Sequence, residues 1–292
     1  MRGALRAYKS KRDERVSSNE PARGVSNAKH GGLYVTDALP SLGSFKGGMA
    51  TLVEKLAEKL GEDLHLGAQV ESVAAAAASG AVANQPIWQI RLSGGQEISV
   101  ETVVLATPAY AAASLLKQSA PKLAALLAVI EHAPMGVVSS AYERSQVRHA
   151  LHGFGFMVPR REGLRVVCTF WNSSLFPSHA PKGSVLMTSF VRSDEGGLFA
   201  APSEVFAQTV EAENAKILGI TGVPTDRTVW RYPRALPQYN VGHPRRVKEI
   251  REAERELVGL CLAGNYLKAR SIGDCAETGF QAAEKLCGHM RN

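Results

Sequence analysis

Self-contained catalytic signatures are missing from this chain of 292 residues. It has no Gly-x-Ser-x-Gly elbow, no His-Glu-x-x-His pair and no Gly-x-x-x-x-Gly-Lys-Ser/Thr loop, so chemistry resting on those motifs is excluded. Gly-x-Gly-x-x-Gly is absent too, because Gly153-Phe154-Gly155 is followed by no third glycine and no helical pattern. Cysteine is scarce: Cys168, Cys261, Cys275 and Cys287 stand far apart, without a Cys-x-x-Cys pair or histidines at zinc-finger spacing. That argues against a disulfide framework or a structural metal, and for a reducing compartment. Asp194, Glu195 and Asp274 are isolated acids, read as surface groups or helix caps rather than acid/base pairs. The longest apolar run, 103–116, contains Pro108 and falls short of the roughly 20 residues that cross a bilayer, so only peripheral membrane contact stays open.

What is present is ordinary globular composition, 45% hydrophobic and 21% charged, with a net charge of +7. Eight Lys/Arg against three acids fall in the first thirty residues, with no apolar signal-peptide core behind them. Such a cluster suits nucleic acid, anionic lipid or an acidic substrate, but reads foremost as a solvated arm, and no nucleic-acid partner is expected. Residues 1–44 read as largely irregular. From Phe45-Lys46-Gly47-Gly48-Met49 onward, Met49, Leu52, Val53, Leu56 and Leu60 recur at helical spacing, and Gly61 closes the helix. A strand is predicted over 65–73, then an alanine run, 74–78, that reads as helix or loop. A hairpin follows, with strands at 88–92 and 97–100 joined by Ser93-Gly94-Gly95-Gln96. Residues 102–106 form a continuous apolar run, as in a parallel strand buried on both faces, and a helix follows to 116.

The middle third predicts strands at 137–142, 154–158, 166–171 and 185–191, a helix over 204–218 and a strand at 228–232, ended by Pro233 and Pro237. A charged helix over 245–256, a second apolar strand at 257–263 and a helix from 273 to the C-terminus complete the pattern. Two buried-type strands thus bracket an antiparallel block, which predicts a discontinuous α/β domain with a sheet domain inserted. The stretch Leu262-Ala263-Gly264-Asn265-Tyr266-Leu267-Lys268-Ala269-Arg270-Ser271-Ile272-Gly273-Asp274-Cys275 carries the one candidate site: strand, glycine, loop and helix start. Loops at the carboxyl ends of such strands bind cofactors, and helix-start N–H groups suit an electron-rich oxygen. On these residues alone, ligand binding and plain packing are equally good readings.

Residues 263–277 resemble the C-terminal flavin motif of protoporphyrinogen oxidases, within the amine-oxidase-like flavoproteins. Five further segments resemble that family in the same order: Ser44-Phe45-Lys46-Gly47-Gly48-Met49, Val103-Val104-Leu105-Ala106-Thr107-Pro108, Gly153-Phe154-Gly155-Phe156-Met157-Val158-Pro159, Asn172-Ser173-Ser174-Leu175-Phe176-Pro177 and Ala235-Leu236-Pro237-Gln238-Tyr239. The resemblance implies an α/β fold (α+β overall): a partial Rossmann-like FAD-binding domain over 45–116 and 245–292, and an inserted substrate domain over 117–244. It implies oxidation of protoporphyrinogen IX to protoporphyrin IX for haem or chlorophyll synthesis, with FAD as the hydride acceptor and O₂ as the final one. It also implies a place in the cytoplasm, on the cytoplasmic side of a membrane, or in the organelle equivalent.

Site residues follow from the resemblance position by position. Val70 matches a main-chain adenine contact, Ala106, Thr107 and Pro108 the strand end beside the cofactor, and Trp230 a strand passing near the flavin. Gly264 and Asn265 match the pyrophosphate and ribityl side, and Ser271 and Ile272 main-chain contacts to the ring. Phe154, Gly155, Met157 and Phe170 match the apolar platform under the tetrapyrrole, although without the resemblance these side chains would read as ordinary core. The chain departs from the family at Ala269 and Arg270, where glycine and valine are usual, and in lacking the strand–Gly-x-Gly-x-x-Gly–helix that clamps the ADP pyrophosphate. It is therefore expected to be the C-terminal portion of such an enzyme, from a truncated gene or from a split gene with a separate half carrying that motif, and to bind FAD weakly or not at all by itself. The other readings are a related flavin oxidase acting on coproporphyrinogen III, an amine or a carotenoid, and a non-catalytic porphyrin- or partner-binding protein.

Overall fold

A computed structural model describes residues 44–76, 87–192, 197–268 and 271–289. The expectations for 1–43, for Ala77 to Gly80, for Asp194 and Glu195 and for Ala269 and Arg270 lie outside these residues. The chain divides into two compact units: one holds Leu64–His132 and the stretch from Pro237 onward, the other Ala133–Leu236 and residues 44–63.

In the first unit, β1 (Val70–Ala76), β2 (Ile87–Leu92) and β3 (Glu97–Val100) form an antiparallel sheet in that order. The predicted first strand starts late, at Val70, and runs on into the alanine stretch; small apolar Ala74 and Ala75 fit opposite Gln89 and Trp88. Next come β4 (Val103–Leu105), α2 (Ala109–Leu115), α3 (Pro121–Ala128), α6 (His243–Arg255), β10 (Leu260–Leu262) and α7 (Ile272–His289). β4 and β10 pair in parallel, Leu260 opposite Val103 and Leu262 opposite Leu105. One core joins Trp88, Leu105, Leu116, Leu123, Leu127, Ile250, Leu260, Leu262 and Tyr266, and Trp88 Nε1 donates to the Val258 carbonyl at 3.0 Å. β10 is covered on both faces, because Cys261 and Ala263 pack on Ala282 and Leu286 of α7. β4 is not: Val104 stays 42% exposed, which corrects the reading of that run as buried on both sides. The boundary expected at 116/117 moves to 132/133 because α3 packs its Leu123, Ala124 and Leu127 into this core.

The second unit contains α1 (Ala50–Leu60), β5 (His132–Glu143) except for its first residue, β6 (Gly155–Met157), β7 (Val166–Trp171), the short α4 (Asn172–Leu175), β8 (Ser184–Arg192), α5 (Ser203–Leu218) and β9 (Asp226–Pro237) except for its last. Its sheet has the order β6-β7-β8-β5-β9, with β6 to β5 antiparallel throughout. β9 continues through Pro233, where the sequence predicted an end. It is an edge strand of the sheet, the position in which a sheet tolerates proline. α5 lies on one face, its Phe206, Ala207 and Val210 against Val138, Val166 and Val191. α1 forms where predicted, yet none of its residues is buried; Val53, Leu56 and Leu60 are exposed.

Candidate functional site

Alternation decides which side chains of the second unit's sheet meet solvent. On β8, Val185, Met187, Ser189 and Val191 are buried towards α5, so Leu186, Thr188, Phe190 and Arg192 take the other face. The register then lays out two cross-strand rows on that open face: Met157–Cys168–Phe190–Val137 and Gly155–Phe170–Thr188–Ser139. Phe154 stacks on Phe170 with centroids 6.0 Å apart, and Phe170 meets Phe190 edge-on at 5.8 Å. On β9, Val229 packs towards α5 and Arg231 lies over the Phe206 ring, which turns Trp230 and Tyr232 to the open side. Phe154 is 50% and Met157 68% exposed, so neither is a core residue, contrary to what their residue types suggest.

Gly155 is required by close approach: a Cβ there would collide with the Thr169 carbonyl oxygen and lie 2.7 Å from Phe170 Cδ1. Burial pushes the Cys168 thiol above its ordinary value, so it stays neutral at physiological pH. Beneath the platform the polar groups close on themselves. Thr169 donates to Asn214 Oδ1 at 2.9 Å, Asn214 Nδ2 donates to Ser189 Oγ at 2.8 Å, and Ser189 lies 2.9 Å from Thr169. The residues expected as a substrate platform, Phe154, Gly155, Met157 and Phe170, are thus brought together with Phe190.

In the first unit, Thr107 and Gly264 follow the carboxyl ends of the parallel pair β4 and β10. The ladder extends one step past β10, from the Ala263 N–H to the Leu105 carbonyl at 3.0 Å. Gly264 has φ +147°, and a Cβ there would meet Tyr266 Cε1 at 2.9 Å, so only glycine fits. Its N–H donates to Thr278 Oγ1 at 3.0 Å. The side-chain oxygen of Thr107 is buried without a hydrogen-bond partner, while Ala106 and Pro108 beside it are exposed. Ser271 caps α7: its hydroxyl accepts the Asp274 N–H at 3.0 Å and donates to the Asp274 carboxylate. Ile272 opens the helix, exposed. Val70 lies half-buried at the start of β1, apart in sequence from the others but in the same unit. Trp230 belongs to the other unit.

Sequence reasoning gave no role to Tyr239, His243 or Thr278, which hold the loop after β10. The signal was there for Tyr239, which lies in a family-like segment. For His243 there was none, since a single histidine beside Pro244 carries no spacing. Among the described residues no group of His, Cys, Asp and Glu could hold a metal ion.

The profile of the flavin containing amine oxidoreductase family matches residues 4–287. The chain belongs to this family. Among its relatives is the chloroplastic protoporphyrinogen oxidase of Nicotiana tabacum, 26% identical over 265 residues, which cover 86% of this chain and 47% of that protein. The coproporphyrinogen III oxidase of Bacillus subtilis (strain 168) is 25% identical over 212 residues, 70% of this chain and 43% of the other. A crystal structure provisionally named as a protoporphyrinogen oxidase, from Exiguobacterium sp. 255-15, superposes with a TM-score of 0.68 at 22% identity, covering 84% of this chain and 52% of that one. Cyclohexylamine oxidase from Brevibacterium oxydans IH-35A follows at 0.60 and 13%. These superpositions establish the fold, that of the flavin amine oxidases, and the chain spans about half the length of the curated relatives it matches.

The family's cofactor is FAD. The first unit's residues fit one end of it: the unpartnered Thr107 hydroxyl and the side-chain-free approach at Gly264 stand where parallel α/β sheets receive ligands. The sequence offers no glycine-rich turn for the pyrophosphate.

Proposed function

We propose that this chain supplies the flavin-ring loop and the substrate platform of an FAD-dependent porphyrinogen oxidase, acting on protoporphyrinogen IX to give protoporphyrin IX. The observation that carries the reading is the open, largely apolar face formed by Phe154, Met157, Phe170 and Phe190. A tetrapyrrole macrocycle needs a broad apolar surface and few polar contacts, and an amine substrate would instead call for a compact, polar-ended pocket. Relatives named for protoporphyrinogen and coproporphyrinogen oxidation support the same substrate class.

When bound, FAD supplies the two-electron acceptor that takes hydride from the macrocycle. The chain's own residues then do the rest. Ala106, Thr107, Pro108, Ser271 and Ile272 hold the flavin end, Gly264 and Asn265 the ribityl and diphosphate side, and Val70 meets the adenine through its main chain. Phe154 and Phe170 orient the macrocycle by stacking, and Gly155 lets β6 and β7 approach closely enough to keep that surface flat. Cys168, held neutral, adds no charge or nucleophile to the platform. O₂ as the final acceptor, peripheral membrane contact and a second polypeptide carrying the pyrophosphate clamp belong to the same proposal. No helix among the described residues is long and apolar enough to cross a membrane.

The test supplies FAD and follows porphyrin fluorescence from protoporphyrinogen IX and coproporphyrinogen III, with a primary amine in parallel. Porphyrin binding is read from tryptophan emission: of the three tryptophans, Trp88 and Trp171 are buried and Trp230 is exposed on the platform face. Saturable quenching whose amplitude falls in Trp230→Phe is expected. Amine turnover without tetrapyrrole binding would sink the proposal, and faster conversion of coproporphyrinogen III would move the substrate to the other member of its class.

A further inference from the structure

The backbone that leaves β10 is held at three consecutive residues. The Tyr239 hydroxyl donates to the Asn265 carbonyl. His243 Nε2 lies 2.9 Å from the Tyr266 carbonyl. A carbonyl only accepts, so Nε2 carries the hydrogen; Nδ1 is buried and has no partner, which leaves the neutral Nε2–H tautomer. The two rings stack with centroids 4.5 Å and planes 18° apart, so each fixes the other's orientation. Thr278 Oγ1 accepts the Gly264 N–H.

The pair is itself anchored. The Gln238 N–H donates to the Glu131 carbonyl at 2.8 Å and Asn240 Nδ2 to the Glu131 carboxylate at 3.1 Å, which ties the segment carrying Tyr239 to the end of the first unit's core. Gly242, at φ +90°, reverses the chain so that His243 starts α6 with Pro244 behind it. Two side chains brought from one segment therefore pin two successive carbonyls of another, directly after Gly264, whose φ of +147° suits glycine.

We propose that Tyr239 and His243 are positioning residues for the nucleotide: a stacked clamp that sets the Gly264–Asn265–Tyr266 backbone for the ribityl and diphosphate side of FAD. This rests on the cofactor reading above. The clamp works through the two carbonyl hydrogen bonds, with the ring stack as its frame, and it touches neither the substrate nor the reacting atoms.

The variants separate the hydrogen bonds from the packing. Tyr239→Phe keeps the ring and its stack and removes one hydroxyl. His243→Gln places an amide nitrogen where the imidazole Nε2 sits, whereas His243→Asn holds it about one bond short. FAD is titrated into the chain and its affinity read from flavin emission and the shape of the flavin absorption band, with melting of the flavin-free protein followed alongside. The unsubstituted chain is expected to give weak, saturable binding. Tyr239→Phe and His243→Asn should each raise Kd about tenfold, a loss of ~1.4 kcal/mol. His243→Gln should stay within about twofold of the parent, since it keeps the donor. Unchanged affinity in Tyr239→Phe and His243→Asn would overturn the clamp and leave the cofactor reading standing. So would a His243→Gln variant as weak as His243→Asn, because the ring rather than its donor would then matter. If the unsubstituted chain gives no flavin signal at all, this chain does not itself hold the nucleotide, and the clamp's assignment falls.

Discussion

His243 combines three facts that rarely coincide in one residue: burial, a single hydrogen-bonded nitrogen and a stacked aromatic neighbour. Burial depresses its pKa below the ordinary 6.5; the Tyr266 carbonyl opposes that shift, and the Arg246 charge adds to it. In the unfolded chain the imidazole titrates near 6.5, so below that pH the unfolded state binds a proton that the folded state refuses. Stability therefore carries no penalty from His243 above pH 6.5, falls as pH drops through that value, and levels off beneath the folded pKa. Thermal melts at pH 7.5, 6.5 and 5.5 should show a steeper decline for the parent than for His243→Gln, which cannot titrate. Equal slopes would show that His243 does not titrate in the way its burial dictates. None of this was legible in sequence, because burial of one histidine is decided by what packs on it, here Tyr239 and the β10 loop.

Elements were more legible than their partners. Alternation of apolar and polar residues announced β2, and the glycine pair announced the β2–β3 turn. α3 was missed because an apolar stretch after Pro121 carries little polar pattern to mark it; its Leu123, Ala124 and Leu127 are buried and Leu126 is half-buried. β9 was cut short on paper because proline usually ends a strand; only its place at the sheet edge permits it to continue. The triangle of Thr169, Ser189 and Asn214 binds β7 and β8 to α5 in an otherwise apolar layer. Truncating Asn214 to alanine leaves two buried hydroxyls short of partners, with an expected loss of about 2 kcal/mol in urea unfolding. Replacing Thr169, Ser189 and Asn214 together by Val, Ala and Leu should recover much of that loss, since unmade bonds cost more than absent ones. A triple variant no better than Asn214→Ala would mean that the volume of Asn214, and not its amide, supports the sheet.

At the scale of the whole molecule, the candidate residues fall into two sets on two units. Thr107 and Gly264 stand at the parallel strand ends of one; Phe154, Met157 and Phe170 line the open sheet face of the other. Each set should answer first to its own ligand. Phe170→Ala is expected to weaken porphyrin binding by up to tenfold, the worth of one aromatic stack at about 1.4 kcal/mol. Thr107→Val, which keeps shape and removes a buried unpartnered hydroxyl, should raise the melting temperature of the flavin-free protein and weaken FAD binding severalfold. A Thr107→Val variant that gains stability and keeps full FAD affinity would show that the hydroxyl is not a ligand to the cofactor.

The sequence by itself determined the family, through short segments whose order matches it, and the split of the chain into an α/β part and an antiparallel part. The family rests on the resemblance of those segments, and the split on local pattern: the period of apolar residues, and the glycines and prolines that break it. Only the tertiary structure decided that Phe154 and Met157 face outward, that β4 keeps one face exposed and that His243 grips the loop after β10. Each of these depends on register and on what lies across a sheet or behind a loop, and a residue's type and its sequence neighbours say nothing about that.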